Sequence, residues 1–327
     1  MIDKIYRSGS GGAEKELSRG SIQGADGCEP KGIIRRSNSA IGHVDSREKN
    51  CGIGRFETID ERQAQEMLQV RIKNDLFAGT VRSANPRFVL LVGQPGAGKT
   101  SAMSHLRQQF GEEGCVDASY DTLMTYHPNY YELTTKGYSA PFRHERMYEV
   151  YSFASRMREA VIGLAAEEGR NVVFENTFPM KSAARDIPGL LGDRFPVVEL
   201  WALATPADIS RLSTYVRYEN QLNAFAEDTD AFKNSHANGP RRMTDADSLD
   251  RFMHYRDCVS QLHSLELSRR IGKAVILDRN GIHFECDNFA QSSIEFRRVF
   301  LDLVNRGGTE SEFRAIFDAL PDMRKPR

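Results

Sequence analysis

The sequence predicts an α/β fold, a doubly wound parallel sheet flanked by helices, and three observations carry that prediction. Four short apolar runs, Phe88 to Val92, Val172 to Phe174, Val197 to Trp201 and Ala274 to Leu277, alternate with longer segments of helical period. The first run is apolar throughout, as suits a parallel strand buried on both faces, and a glycine-rich turn and a helical pattern follow it directly. With 40% hydrophobic residues, a 327-residue chain can also bury a sizeable core.

Residues 1–55 are rich in Gly, Ser, Arg and Glu, lack a sustained period, and read as a disordered leader. Helical order begins near Thr58, where Thr58 and Glu61 have capping-box spacing and Ala64, Leu68, Ile72 and Leu76 form an i, i+4 stripe. A long helix is expected from Arg143 to Glu167, with Met147, Val150, Tyr151, Ala154, Met157, Val161 and Leu164 on its apolar face and Gly169 as its stop. Residues 223–245 are polar, lie between two helical stretches, and read as a mobile lid. Three units result: the leader at 1–55, a folded domain at 56–287, and a helical tail at 288–327 that carries no recognisable chemistry.

The 44 basic and 45 acidic residues give a formal net charge of −1, which supplies no global field for nucleic acid or membrane. Any anion site must therefore be local. Five cysteines without a C-x-x-C pair argue against a disulfide framework and against a zinc site, and fit a reducing, cytoplasmic setting. No run approaches the ~18 apolar residues of a spanning helix.

Between the first strand and its helix lies Gly93-Gln94-Pro95-Gly96-Ala97-Gly98-Lys99-Thr100-Ser101, which fits G-x-x-x-x-G-K-[ST]. Glycines let the backbone wrap phosphate oxygens, so that N–H groups and the helix N-terminus face the anion. In such a loop Lys99 reaches the β- and γ-phosphates of ATP or GTP, and the Thr100 hydroxyl binds the Mg²⁺ that bridges them. The sequence has no N-K-x-D guanine-reading motif, and Val173-Phe174-Glu175 ends in a single acid, without the paired acids of motor ATPases. A metabolite kinase is the leading class. A nucleotide-binding regulator that transfers no phosphate is the rival from another class.

Several segments in order resemble the bacterial zeta toxin family of P-loop kinases: the loop itself, Asp121-Thr122-Leu123 with His127-Pro128-Asn129-Tyr130, Arg156-Met157-Arg158-Glu159-Ala160, Val173 to Thr177, Arg217-Tyr218-Glu219, and Asp278-Arg279-Asn280-Gly281. The resemblance implies that Asp121 is the general base for a substrate hydroxyl, a role that suits a carboxylate beyond the carboxyl end of a strand. It places Glu159, Glu175 and Thr177 in the substrate pocket, and Arg217 and Arg242 on the transferring phosphoryl group. Position alone makes Glu159 a solvated helix charge. His127 reads as a structural residue of its turn, and the other histidines lack ligand spacing. Ser119 stands where the family often has a second acid, and Pro179 where a basic substrate-contacting residue is common.

The resulting expectation is a kinase acting on a nucleotide-linked metabolite, UDP-N-acetylglucosamine first, with an antitoxin protein as partner. The alternative within the fold is a zeta-like effector that phosphorylates NAD or another nucleotide and is delivered into a host cell by a specialised secretion system.

Overall fold

A computed structural model describes residues 59–138, 145–179, 183–195 and 198–320, all within the unit Ile53–Arg327. The leader at 1–55, Thr58, Arg143 and Val197 lie outside the described residues. The helices are α1 (Glu61–Met67), α2 (Lys73–Leu76), α3 (Lys99–Phe110), α4 (Tyr120–Met124), α5 (Tyr130–Thr135), α6 (Glu145–Glu167), α7 (Ala183–Leu191), α8 (Ala207–Glu227), α9 (Thr229–Asn234), α10 (Asp245–Ser260), α11 (Phe289–Asn305) and α12 (Glu310–Asp318). The strands are β1 (Phe88–Val92), β2 (Val116–Asp117), β3 (Val172–Asn176), β4 (Val198–Leu203), β5 (Ile271–Asp278) and β6 (Gly281–Cys286).

They form one sheet in the order β2-β3-β1-β4-β5-β6, parallel except for β6, which returns antiparallel along β5. The four apolar runs are thus β1, β3, β4 and β5. Alternation along each strand divides the core into two layers. Val89, Leu91, Val173 and Trp201 face α3 through Ala102, Leu106 and Phe110. Phe88, Leu90, Phe174 and Leu200 face the larger cluster that includes α6. Because β1 lies between β3 and β4, chain connections leave it in both directions, and a crevice opens beyond its carboxyl end.

The start of α1 is capped two residues beyond the expected pair. Asp60 Oδ1 accepts from the Gln63 N–H at 2.8 Å, and Gln63 Oε1 accepts from the Asp60 N–H at 2.9 Å. Ala64, Leu68 and Ile72 are buried as the stripe predicts, although Leu68–Ile72 is wound as a π-helix before α2. At the end of α6, Gly169 adopts φ +65°; its N–H bonds the Ala166 carbonyl and that of Arg170 bonds Ala165, the paired hydrogen bonds that let glycine terminate a helix.

Two expectations change. Residues 223–245 are not simply a polar link between helices: they contain the last turn of α8, α9 and the start of α10. Phe225 and Phe232 pack around Tyr131, and His236 stacks on Tyr126 at 4.2 Å. The polar composition concealed these aromatic anchors. The tail, for its part, joins the main core, where Phe289, Phe296, Phe300 and Val304 are buried in the same cluster as the sheet. No described helix is long and apolar enough to cross a membrane.

His127 is buried at 2% exposure, edge-on to Phe153, and its Nδ1 accepts the Asn129 N–H at 3.2 Å. Burial lowers its pKa to about 4, so the folded protein holds it neutral. This favours the fold fully above the ordinary histidine value near 6.5, and the contribution falls with pH down to about 4, with a slope of up to ~1.4 kcal/mol per pH unit. His127→Asn, which keeps a side-chain acceptor, should flatten that acid dependence in urea unfolding measured between those pH values. Phe300→Ala should cost about 3–5 kcal/mol in the same assay at neutral pH, because it empties a fully buried site shared with Tyr255 and Phe296. A loss below 1 kcal/mol would show that the tail is peripheral to the core.

Candidate active site

The loop from Gly93 to Gly98 leaves the buried end of β1 and turns directly into α3. Gly96 and Gly98 lie at φ +81° and +99°, where a side chain is strained. Space adds a second constraint at Gly96, where a Cβ would fall 2.0 Å from the carbonyl oxygen of Ser210 on α8. Thr205 Oγ1 donates to the Ala97 carbonyl at 2.9 Å, and Gln94 Nε2 donates to the Thr205 carbonyl at 2.6 Å. Because C=O and N–H point oppositely across a trans peptide, the Thr205 bond directs the Gly98 N–H away from Thr205. The result is an anion cradle at a helix N-terminus.

Lys99 is 7% exposed, and its Nζ donates to the carbonyls of Gly93 at 2.8 Å and Gln94 at 3.2 Å. Glu175 Oε1, at the carboxyl end of β3, is 3.5 Å away. Burial lowers the Lys99 pKa, opposed by the charges of Glu175 and Asp121; burial likewise raises that of Glu175, opposed by Lys99. Each charge keeps the other tolerable in a poorly solvated place. Beside Glu175, the Phe178 N–H bonds Asn176 Oδ1 at 2.7 Å, and Phe178 itself sits at φ +44°. This tight turn carries Thr177 into the cavity lining.

Asp121 occupies the first turn of α4, just after β2. Asp117 steadies that turn by accepting from the Ser119 N–H at 3.0 Å and from Thr122 Oγ1 at 2.8 Å. Both Asp121 oxygens accept from Arg241, at 2.8 and 2.6 Å. Burial pushes the Asp121 carboxyl up, yet Arg241, Arg217 and Lys99 outweigh it and hold the group well below the usual carboxylate range. Arg217, on α8, has its own pKa lowered by burial and by neighbouring Arg241, and its Nε is buried without a hydrogen-bond partner.

Lys99, Asp121, Glu175, Thr177, Arg217 and Arg242 all line one cavity of about 340 Å³ beside Pro95. Six of its lining residues are Lys or Arg and three are Asp or Glu, an excess of positive charge absent from the chain as a whole. The cavity therefore has the local positive charge that an anion site requires. A phosphate-bearing ligand suits that charge, and Asp121, Glu175 and Asp186 are the carboxylates that line the cavity.

Two expected positions differ. Arg241, not its neighbour Arg242, pairs with Asp121; Arg242 is more exposed and also lines the cavity. Glu159 is outside the cavity, with a 64% exposed side chain 3.9 Å from Arg158, and faces a separate groove. Consecutive helix positions differ by about 100°, so the residue that enters the cavity is Arg158, stacked over Tyr120 at 4.5 Å and Phe174 at 5.3 Å. Tyr151, one helical face earlier on α6, lines the cavity too. The i, i+7 spacing of Tyr151 and Arg158 was the available signal for that face. Thr100 is exposed at the first turn of α3, and among the described residues no group of three His, Cys, Asp or Glu could hold a metal.

A family model described as Zeta toxin matches residues 72–285, well over half of the chain. The chain belongs to the zeta toxin family. Toxin zeta of Streptococcus agalactiae is 28% identical over 159 residues, covering 49% of this chain and 53% of that protein. Toxin PezT of Streptococcus pneumoniae is 27% identical over 195 residues, covering 56% and 75%. The chain spans about half the length of the streptococcal zeta toxins that it matches. A solved structure from the PezAT chromosomal toxin–antitoxin system of S. pneumoniae covers 80% of this chain and 95% of its own, with TM-score 0.59 at 21% identity, and shares the fold. The match of this zeta toxin family chain includes the cradle, Asp121, Glu175, Arg217 and Arg241, and stops short of α11 and α12.

Gly96→Ala should abolish phosphate binding, because the added methyl collides with the Ser210 backbone rather than with a side chain that could swing away. Isothermal titration with ATP and with GTP checks this. Binding at the unsubstituted affinity would mean that the loop is not the cradle.

Proposed function

We propose that this chain is a kinase that transfers the terminal phosphoryl group of ATP or GTP to a hydroxyl of an anionic, nucleotide-linked small molecule. The observation that carries the reading is the position of Asp121 in the same cationic cavity as the phosphate-loop lysine. Membership of the zeta toxin family supports it.

In this reading the Gly93–Gly98 backbone holds the phosphates, and Lys99 leaves the carbonyls of Gly93 and Gln94 to meet them. Arg241 turns from Asp121 toward the phosphoryl oxygens and joins Arg217 there. Planar, permanently charged guanidinium groups suit a transition state whose charge spreads over several oxygens. Asp121, released from Arg241, accepts the hydrogen bond of the substrate hydroxyl and takes its proton on a carboxylate oxygen. Its low pKa makes it a weak base, which suits a loose transition state in which the proton leaves late. Glu175 and Thr177 orient the acceptor. Thr100 fits Mg²⁺, which keeps most of its ligands as water and phosphate oxygen and needs few from protein; when bound, the ion neutralises charge on the phosphates.

Within this class UDP-N-acetylglucosamine is the first acceptor to test. Pro179 lines the cavity where the family commonly has a basic residue, which favours testing NAD beside it. The toxin–antitoxin system named for the PezAT structure supports an antitoxin protein as partner.

Asp121→Asn keeps shape and removes the proton acceptor. Single-turnover transfer should fall by roughly 10² to 10⁴, with nucleotide affinity little changed. Unchanged transfer to every acceptor tried would remove Asp121 from the mechanism. Loss of nucleotide binding together with transfer would recast it as part of the nucleotide site.

A further inference from the structure

The family match ends at residue 285, yet the chain continues through α11 and α12 back to the phosphate loop. Two separate links lead there. The first runs through the turn between β5 and β6. Arg306, just after α11, bonds both oxygens of Glu312 at 2.7 Å each, and its Nη2 also reaches Asp278 Oδ2 at 3.0 Å. Glu312 is held in turn by the Thr309 N–H at 2.9 Å and hydroxyl at 2.8 Å. The Asp278 side chain is 1% exposed and also accepts from the Asn280 N–H at 2.7 Å and lies 2.8 Å from His283 Nε2. The next residue, Arg279, donates through Nη2 to the Gly96 carbonyl at 3.1 Å and to Ser213 Oγ at 2.6 Å.

The second link reaches the start of α8. The Gly308 N–H donates to Asp208 Oδ2 at 2.9 Å, and a Cβ on Gly308 would lie 2.5 Å from the Ile209 side chain. The residue after Ile209 is Ser210, whose carbonyl occupies the space beside Gly96.

As a glycine, Gly96 has little intrinsic backbone restraint, and a peptide there that rotated its carbonyl inward would present negative charge to a phosphate. A guanidinium on that carbonyl holds it outward. Arg279 is exposed, and such a side chain keeps one geometry only if its own backbone is fixed. Buried Asp278, anchored by Arg306 and Glu312, fixes it.

We infer that the C-terminal segment from Arg306 to Glu312 is a positioning element of the nucleotide site, acting through Asp278 and Arg279 on Gly96 to set the affinity for a nucleoside triphosphate. This rests on the reading of Gly93–Thr100 as a nucleotide cradle. Arg306 and Glu312 touch no substrate in this account; they are positioning residues.

The test uses the full chain, with Arg279→Ala, Arg306→Gln and the double variant titrated with Mg·ATP and Mg·GTP by calorimetry well below their melting temperatures. Each single substitution should raise Kd about fivefold to tenfold, the scale of one lost hydrogen bond acting indirectly on the site. The double variant should be no weaker than the worse single, because both act through one contact. Melting should separate the two residues, with Arg279→Ala near the unsubstituted protein and Arg306→Gln lower. An Arg306→Gln protein that melts lower but binds with unchanged Kd would reduce the segment to a structural role and overturn the inference. Multiplicative effects on Kd in the double variant would overturn it too. Should Arg306→Gln fail to fold, Arg306→Lys, which keeps the charge but not the fork, takes its place with the same expectations. An unsubstituted protein that binds neither nucleotide would sink the cradle reading and this inference together, whereas binding that ignores both substitutions sinks the inference alone.

Discussion

Residue 96 has no room for a side chain, because the carbonyl of Ser210 on α8 already occupies the place a Cβ would take. That close approach couples the phosphate loop to α8, and α8 carries Arg217 into the cavity. The loop in turn begins where β1 ends, between β3 with Glu175 and β4 with the Thr205 brace that follows it. A shift of the loop would therefore move the donors, the lysine and the arginine relative to one another. Glycine is the only residue that allows both the left-handed backbone and the approach.

The same crevice gathers charge that would be costly in isolation. Lys99 and Glu175 are each shifted toward their neutral forms by burial, and each is drawn back by the other. Asp121 and Arg241 form a bidentate pair, in which each ion compensates the other. Removing one member of such a set leaves an uncompensated charge, so the arrangement is strongly interdependent. It also has a direction: cations exceed carboxylates among the lining residues. Arg241 and Lys99 each have partners within the protein, Asp121 for the one and the Gly93 and Gln94 carbonyls for the other, whereas the Arg217 Nε is buried without one.

The legibility of these features in the sequence was uneven for physical reasons. Strands buried on both faces are largely apolar: β1 is so throughout, and β3, β4 and β5 each carry an apolar run despite Glu175, Glu199 and Lys273. β2 is only two residues long and β6 alternates with exposed positions, so neither makes an apolar run. The α6 face was readable from its period, but the polar residues at its margin were not: Arg158 enters the cavity and Glu159 points away. Arg241 and Arg242 are chemically identical neighbours, and no local pattern says which one meets Asp121. In residues 223–245, Phe225 and Phe232 were outnumbered by polar neighbours, although they are what packs that segment against Tyr131.

By itself the sequence determined the glycine-rich turn after β1 and the parallel sheet that presents it, since both depend on local rules: glycine for positive φ, apolar runs for doubly covered strands, helical period for the layers. Tertiary structure alone decided which charges meet. Asp121 and Arg241 are 120 positions apart, and Arg279 and Gly96 are 183 apart, so each pairing depends on how the sheet orders its strands and how the tail folds back. Ion pairs and hydrogen bonds form between groups within a few ångströms in space, and separation along the chain sets no limit on which groups those are.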